Sequence, residues 1–206
     1  MAYSDFTTLA KVREAFELML EEPNDLFVDV PEVLPSAYLQ STLSENVSLA
    51  TAINTEKARA ELIIAPVLLE VRRRFNFQIG FFSGSEFNVE SETGLTGYCD
   101  YILTASKESY EIRTPVITLV EAKNESIKSG LGQCIAEMVA AQIFNQRNGE
   151  PIASIYGSVT TGTDWKFLQL TDKTVFIDKR NYFINEVNII LGILTTPFKM
   201  FHSLQD

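Results

Sequence analysis

Apolar residues recur at helical spacing near the start of the chain. Leu9, Val12, Phe16 and Met19 fall at i, i+3, i+7 and i+10, which predicts a helix over residues 5–21, stopped by Pro23. Residues 23–35 hold three prolines and read as a connection with a short extended piece at Leu26–Val30. A weaker helical pattern covers residues 36–52. A stronger one runs from Thr55, its N-cap, to about Arg74, with Ala58, Leu62, Ala65 and Leu69 as the apolar stripe. Pro66 lies inside that helix and should kink it, because its ring removes one backbone donor.

The pattern then changes period. Phe75–Val89 is aromatic-rich and carries Gly80 and Gly84, which predicts two short strands or one bulged strand. Tyr98–Thr104 and Pro115–Lys123 read as strands, and Val116–Val120 is the kind of run that is buried on both faces. Ser129 to about Gln146 is helical, with Leu131, Ile135, Val139 and Ile143 on one face. Alternating segments follow at Ile152–Thr160, Trp165–Leu170 and Val175–Asp178, with hairpin turns at residues 161–163 and 171–173. A last helix spans about Ile184–Leu194 and is apolar around most of its circumference, more than one buried stripe requires, which points to a cap on the sheet or a homodimer contact. The order of elements predicts an α/β fold, a mixed β-sheet of about four to six strands flanked by helices. No repeat or linker divides residues 1–206, so the expectation is one domain with an N-terminal helical extension over about 1–54.

Charge narrows the functional classes. The formal net charge is −10, which argues against a protein that simply coats nucleic acid with Lys and Arg. No apolar run approaches the roughly 20 residues that span a bilayer. The N-terminus lacks the apolar core of a signal peptide, so the expected compartment is cytoplasmic, with no membrane partner. One histidine, His202, and two cysteines, Cys99 and Cys134, leave little room for a His-based metal cluster or a nucleophilic triad. Catalysis, if present, falls to carboxylates and lysine.

The buried run 116–120 ends in Glu121-Ala122-Lys123. Strand side chains alternate faces, so Glu121 and Lys123 point the same way. Such a pair can be a plain ion pair, or a metal ligand beside a water-orienting lysine. Asp100 sits in another apolar strand, where a charge is costly unless paired or metal-bound. Two facing carboxylates repel, and a bound Mg²⁺ would remove that repulsion. On the following helix Gln133 and Glu137 are i and i+4 and share a face.

Asp100, then Glu121-Ala122-Lys123 on the next strand, then Gln133 on a helix, resembles the PD-(D/E)XK nuclease superfamily, whose fold is restriction-endonuclease-like. The runs Glu61–Leu68, Gly97–Tyr101, Val120–Asn124 and Gln133–Met138 together resemble a small stand-alone bacterial and cyanobacterial group within it, over roughly residues 55–180. The resemblance implies a Mg²⁺-dependent phosphodiester hydrolase acting on nucleic acid, with Mn²⁺ as a substitute. Asp100, Glu121 and the carbonyl of Ala122 would bind the metal, and Lys123 would orient or deprotonate the attacking water. Gln133 would position lysine, water or nucleotide, and Glu61 matches the family's helical acidic residue, with Glu56 or Glu70 as alternatives. Cys99 stands where the family's name has proline. The other reading is a catalytically weak binding or scaffold module on the same fold.

Plainer roles remain open for several positions. Asp100 could be an edge carboxylate, Glu61 a solvated helix residue and Gln133 a polar residue of a helix N-terminus. Cys99 and Cys134 read as buried small hydrophobes, and His202 as tail. Arg72–Arg74 is explained by a helix C-terminus as well as by phosphate. Phe75, Phe77, Phe81 and Phe82 read as core before stacking platform.

Overall fold

A computed structural model describes residues 1–203, apart from the side chains of His202 and Ser203. The expectation for the histidine therefore lies outside the described residues. The protein is α/β, with an eight-stranded mixed sheet flanked by helices.

The strands are β1 (Met19–Glu21), β2 (Gly80–Glu86), β3 (Tyr98–Thr104), β4 (Val116–Ala122), β5 (Ile155–Thr160), β6 (Asp164–Thr171), β7 (Thr174–Ile177) and β8 (Tyr182–Phe183). Their order is β1-β7-β6-β5-β4-β3-β2, with β8 also paired to β6. β4 runs parallel to β5, and β1 parallel to β7; the other pairs are antiparallel. The helices are α1 (Leu9–Phe16), α2 (Ala37–Ile53), α3 (Glu56–Arg59), α4 (Ala65–Arg74), α5 (Ile127–Arg147) and α6 (Val187–Ser203). α5 is the crossover that a parallel β4–β5 pair requires.

The central strand β4 is buried at all seven positions, because both faces of the sheet are covered. On one face α1, α5 and residues Tyr3 and Phe6 pack onto Ile102, Leu119 and Leu168. On the other, α2, α4 and α6 pack onto Tyr101, Val120 and Phe167. The N-terminal residues thus belong to this core, and β1 belongs to its sheet.

Several expectations need correction. The helix predicted over 5–21 ends at Phe16, where Glu17 turns left-handed (φ 53°), and residues 19–21 form β1. Residues 26–29 are turns, not an extended piece. Phe75–Val89 contains one strand, β2, whose register with β3 runs unshifted past Gly84 (φ 57°). The sheet exceeds the expected four to six strands because β1 and β8 have only three and two residues.

α6 continues through Pro197 to Ser203 and is buried around most of its surface. At Gly192 a Cβ would lie 2.4 Å from the Pro31 carbonyl, so the 23–35 connection packs directly against α6. Its apolar circumference is accounted for within one chain and carries no argument for a homodimer. Among the described residues no helix is long and apolar enough to cross a membrane.

The kink at Pro66 takes a definite form. Thr55 caps α3, accepting from the Ala58 amide at 3.1 Å, and a π-turn over Ala60–Ile64 joins α3 to α4. Pro66 has no amide for the Leu62 carbonyl, and Asn46 Nδ2 donates to that carbonyl at 3.1 Å. Tyr101 Oη donates to the Ala60 carbonyl at 3.0 Å, which ties the π-turn to β3.

Candidate functional site

β3 and β4 part at the end of the buried run. Their ladder pairs Tyr101 with Val120 and goes no further. The Lys123 amide donates to the Thr160 carbonyl on β5 at 2.8 Å, so the preceding amide, that of Ala122, faces β3. There it meets the Asp100 carboxylate in place of a strand carbonyl, donating to Oδ2 at 2.8 Å. Asp100 is half-buried and anchored by its own neighbour strand.

Alternation places Glu121 and Lys123 together as expected: the Lys123 ammonium donates to Glu121 Oε1. Glu121 is almost fully buried, while the Lys123 side chain remains 21% exposed. Burial, then the Asp100 charge, pushes the Glu121 carboxyl up to about 8 against the opposing pull of Lys123. Burial disfavours the Lys123 ammonium, but Glu121, Glu56 and Asp100 outweigh it and raise its pKa. The pair is lopsided: several carboxylates hold one ammonium, and one ammonium cannot offset the burial of Glu121.

α5 adds a residue absent from the predicted set. Glu137 is fully buried and its carboxyl is raised well above the usual range, first by burial and then by Glu121. Gln133 Nε2 donates to Glu137 Oε1 at 3.2 Å, so the shared face of these two residues turns inward, and Gln133 reaches the carboxylate group through Glu137. Glu121 Oε2 and Glu137 Oε2 are both buried without a hydrogen-bond partner among the described residues. Sequence reasoning noted Glu137 only as the neighbour of Gln133. The stronger signal was its setting: Cys134–Ala141 is apolar except for this one carboxylate.

Glu61 lines a cleft of about 280 Å³ together with Glu56, Lys57, Gly84, Asp100 and Ala122. Its side chain is 63% exposed and lies 3.7 Å from Lys57, at the rim and away from the buried carboxylates. Glu56 shares that rim. Glu70 does not: its oxygens accept from the Ser36 amide (3.0 Å) and hydroxyl (2.9 Å), fastening the start of α2. A larger apolar hollow of about 400 Å³ near Ile117, Tyr156 and Phe201 lies at the opposite end of the strands, away from every carboxylate named here.

The remaining candidates have structural partners. Arg72 donates to the Ile79 carbonyl at 2.9 Å, Arg73 lies 3.1 Å from Glu70, and Arg74 donates to the Leu34 carbonyl. Phe82 is core and Phe75 and Phe81 pack against the core, but Phe77, read as core from the sequence, is 53% exposed and lies under the Arg72 guanidinium. Cys99 and Cys134 are buried and unpaired, and burial pushes both thiols far up, so neither is a nucleophile.

Among the described residues no three His, Cys, Asp or Glu side chains are grouped so as to hold a metal ion by themselves. Mg²⁺ does not demand such a cage, because it keeps several waters and binds through one or two carboxylates plus substrate phosphate. The donors present are hard oxygens, and Glu121 Oε2 is buried and unsatisfied, which fits such an ion. No protein-family model and no curated protein matches the chain.

Proposed function

We propose that the protein is a divalent-metal-dependent phosphodiester hydrolase acting on nucleic acid, on a restriction-endonuclease-like framework. The observation that carries this reading is the junction of Asp100, Glu121 and Lys123 where β3 and β4 part, with Asp100 and Ala122 lining an open cleft.

Asp100, Glu121 and the Ala122 carbonyl would hold Mg²⁺ or Mn²⁺. When bound, that ion supplies Lewis-acid polarisation of a phosphoryl oxygen and a lowered pKa for water. Lys123 places an ammonium beside Glu121, where it can orient a water and stabilise charge that grows on the phosphoryl oxygens. Burial of Glu121 strengthens these interactions by keeping bulk water away. Gln133 lies behind the group, held by Glu137. Glu61 stands at the rim, paired with Lys57.

The second reading is a binding module with weak or no catalysis. It draws on the exposed, Lys57-paired position of Glu61 and on the lack of a three-carboxylate grouping among the described residues.

The test is hydrolysis of nucleic acid fragments with Mg²⁺ or Mn²⁺ against the same assay in EDTA. Lys123→Ala is expected to lower the rate by more than about 10²-fold with the fold retained. Equal rates in wild type and variant would overturn the reading.

A further inference from the structure

The charge around the cleft narrows the substrate. Its lining has three carboxylates, Glu56, Glu61 and Asp100, against one ammonium, Lys57. Lys57 is 3.7 Å from Glu61, and Lys123 is bound to Glu121. Arg59, on the helix that forms the cleft wall, donates to the Thr161 carbonyl at 2.9 Å and to Asn54. The cationic run Arg72–Arg74 is tied to Ile79, Glu70 and Leu34. β2 carries a further exposed carboxylate, Glu86, beyond the cleft. A protein that grips a duplex neutralises several phosphates with Lys or Arg, and beyond Lys128, exposed at the start of α5, these flanks add no track of free cations.

One exposed group near the cleft suits a nucleoside. Tyr98 opens β3, two residues and about 7 Å of strand before Asp100. It is 67% exposed, and it pairs across the ladder with Glu86. An aromatic ring that far into solvent offers a face on which any nucleobase can stack.

We propose that the substrate is a dinucleotide-sized phosphodiester, with one nucleobase stacked on Tyr98 and the single phosphate at Asp100 and Lys123, and not a duplex. This rests on the hydrolase reading above and specifies its substrate class.

The experiment compares three substrates with Mg²⁺ or Mn²⁺: a free dinucleotide, a long single strand, and a duplex of the same sequence. The dinucleotide is expected to give a kcat/KM at least about tenfold above the duplex, changing by less than about fourfold between roughly 50 and 200 mM salt, as for one phosphate. Tyr98→Ala is expected to raise the dinucleotide KM by about five- to a hundredfold, with kcat within about twofold and the melting temperature unchanged. Tyr98→Phe should recover the KM. A duplex cut faster than the dinucleotide, with a steep loss on adding salt, overturns the proposal and leaves the hydrolase standing. An unchanged KM in Tyr98→Ala overturns the stacking site. No hydrolysis of any of the three removes the hydrolase reading and the proposal together.

Discussion

Asp100 both anchors a strand and raises the cost of ionising its neighbour. It takes the Ala122 amide, and its charge pushes the Glu121 carboxyl up. With a folded value near 8 against about 4.5 when unfolded, Glu121 binds an extra proton in the native state across that window. Native stability contributed by this group is therefore full below about pH 4.5 and is lost as pH rises through about 8. Asp100→Asn keeps an acceptor for the Ala122 amide and removes the charge. It should melt a few degrees above wild type near pH 8, with the gap closing towards pH 5. A scan of melting temperature against pH checks this. A variant that melts lower at every pH would make Asp100 a structural carboxylate. The alternation that puts Glu121 beside Lys123 was readable from the sequence, because strand geometry leaves no other choice. Glu137 was not singled out, because helical spacing alone does not say that α5 is buried on nearly every side.

At the scale of elements, the lysine depends on how α5 passes over β4. A Cβ at Gly130 would lie 2.7 Å from Val159 Cγ1 and 3.1 Å from both Cγ and Cε of Lys123. The first turn of α5 thus forms a slot for the lysine stem, and glycine is required there by space. In Gly130→Ala the better helix propensity, up to about 1 kcal/mol, works against an overpacking cost of about 1–3 kcal/mol. We expect melting a few degrees lower, and a larger effect on rate, about tenfold or more, because the ammonium is displaced from Glu121. Melting curves and hydrolysis rates measured on one preparation check both; full activity at unchanged melting would show slack in the slot. Elements whose burial is settled locally were legible: β3 is observed over the residues read from the sequence, and β4 within one residue of each end of its predicted range. The segment 17–21 was misread because its strand pairs with β7, more than 150 residues away, and nothing local distinguishes it from a fraying helix.

Across the whole molecule, the N-terminal residues hold the site's far wall in place. Tyr3 is buried and donates to the Phe87 carbonyl at 2.6 Å. At Gly132 a Cβ would lie 2.2 Å from the Phe6 carbonyl, so the chain before α1 lies directly on α5. α5 carries Gln133 and Glu137, and α3 with the π-turn after it, pinned through Arg59 to the β5–β6 turn, carries the rim carboxylates Glu56 and Glu61. An acidic chain with a net charge of −10 that also sets Asp100 and Glu121 beside one ammonium is short of positive charge at a single place. In the proposed function a divalent cation would supply it, and an ion that binds only the native state adds RT ln(1 + [L]/Kd), about 2.7 kcal/mol at 100 times Kd. The most direct measurement is thermal melting of wild type and Asp100→Asn with and without millimolar Mn²⁺, which tolerates imperfect geometry better than Mg²⁺ does. The account predicts a rise of about 5–10 °C for wild type that disappears in Asp100→Asn. A wild-type curve unmoved by Mn²⁺ would contradict it.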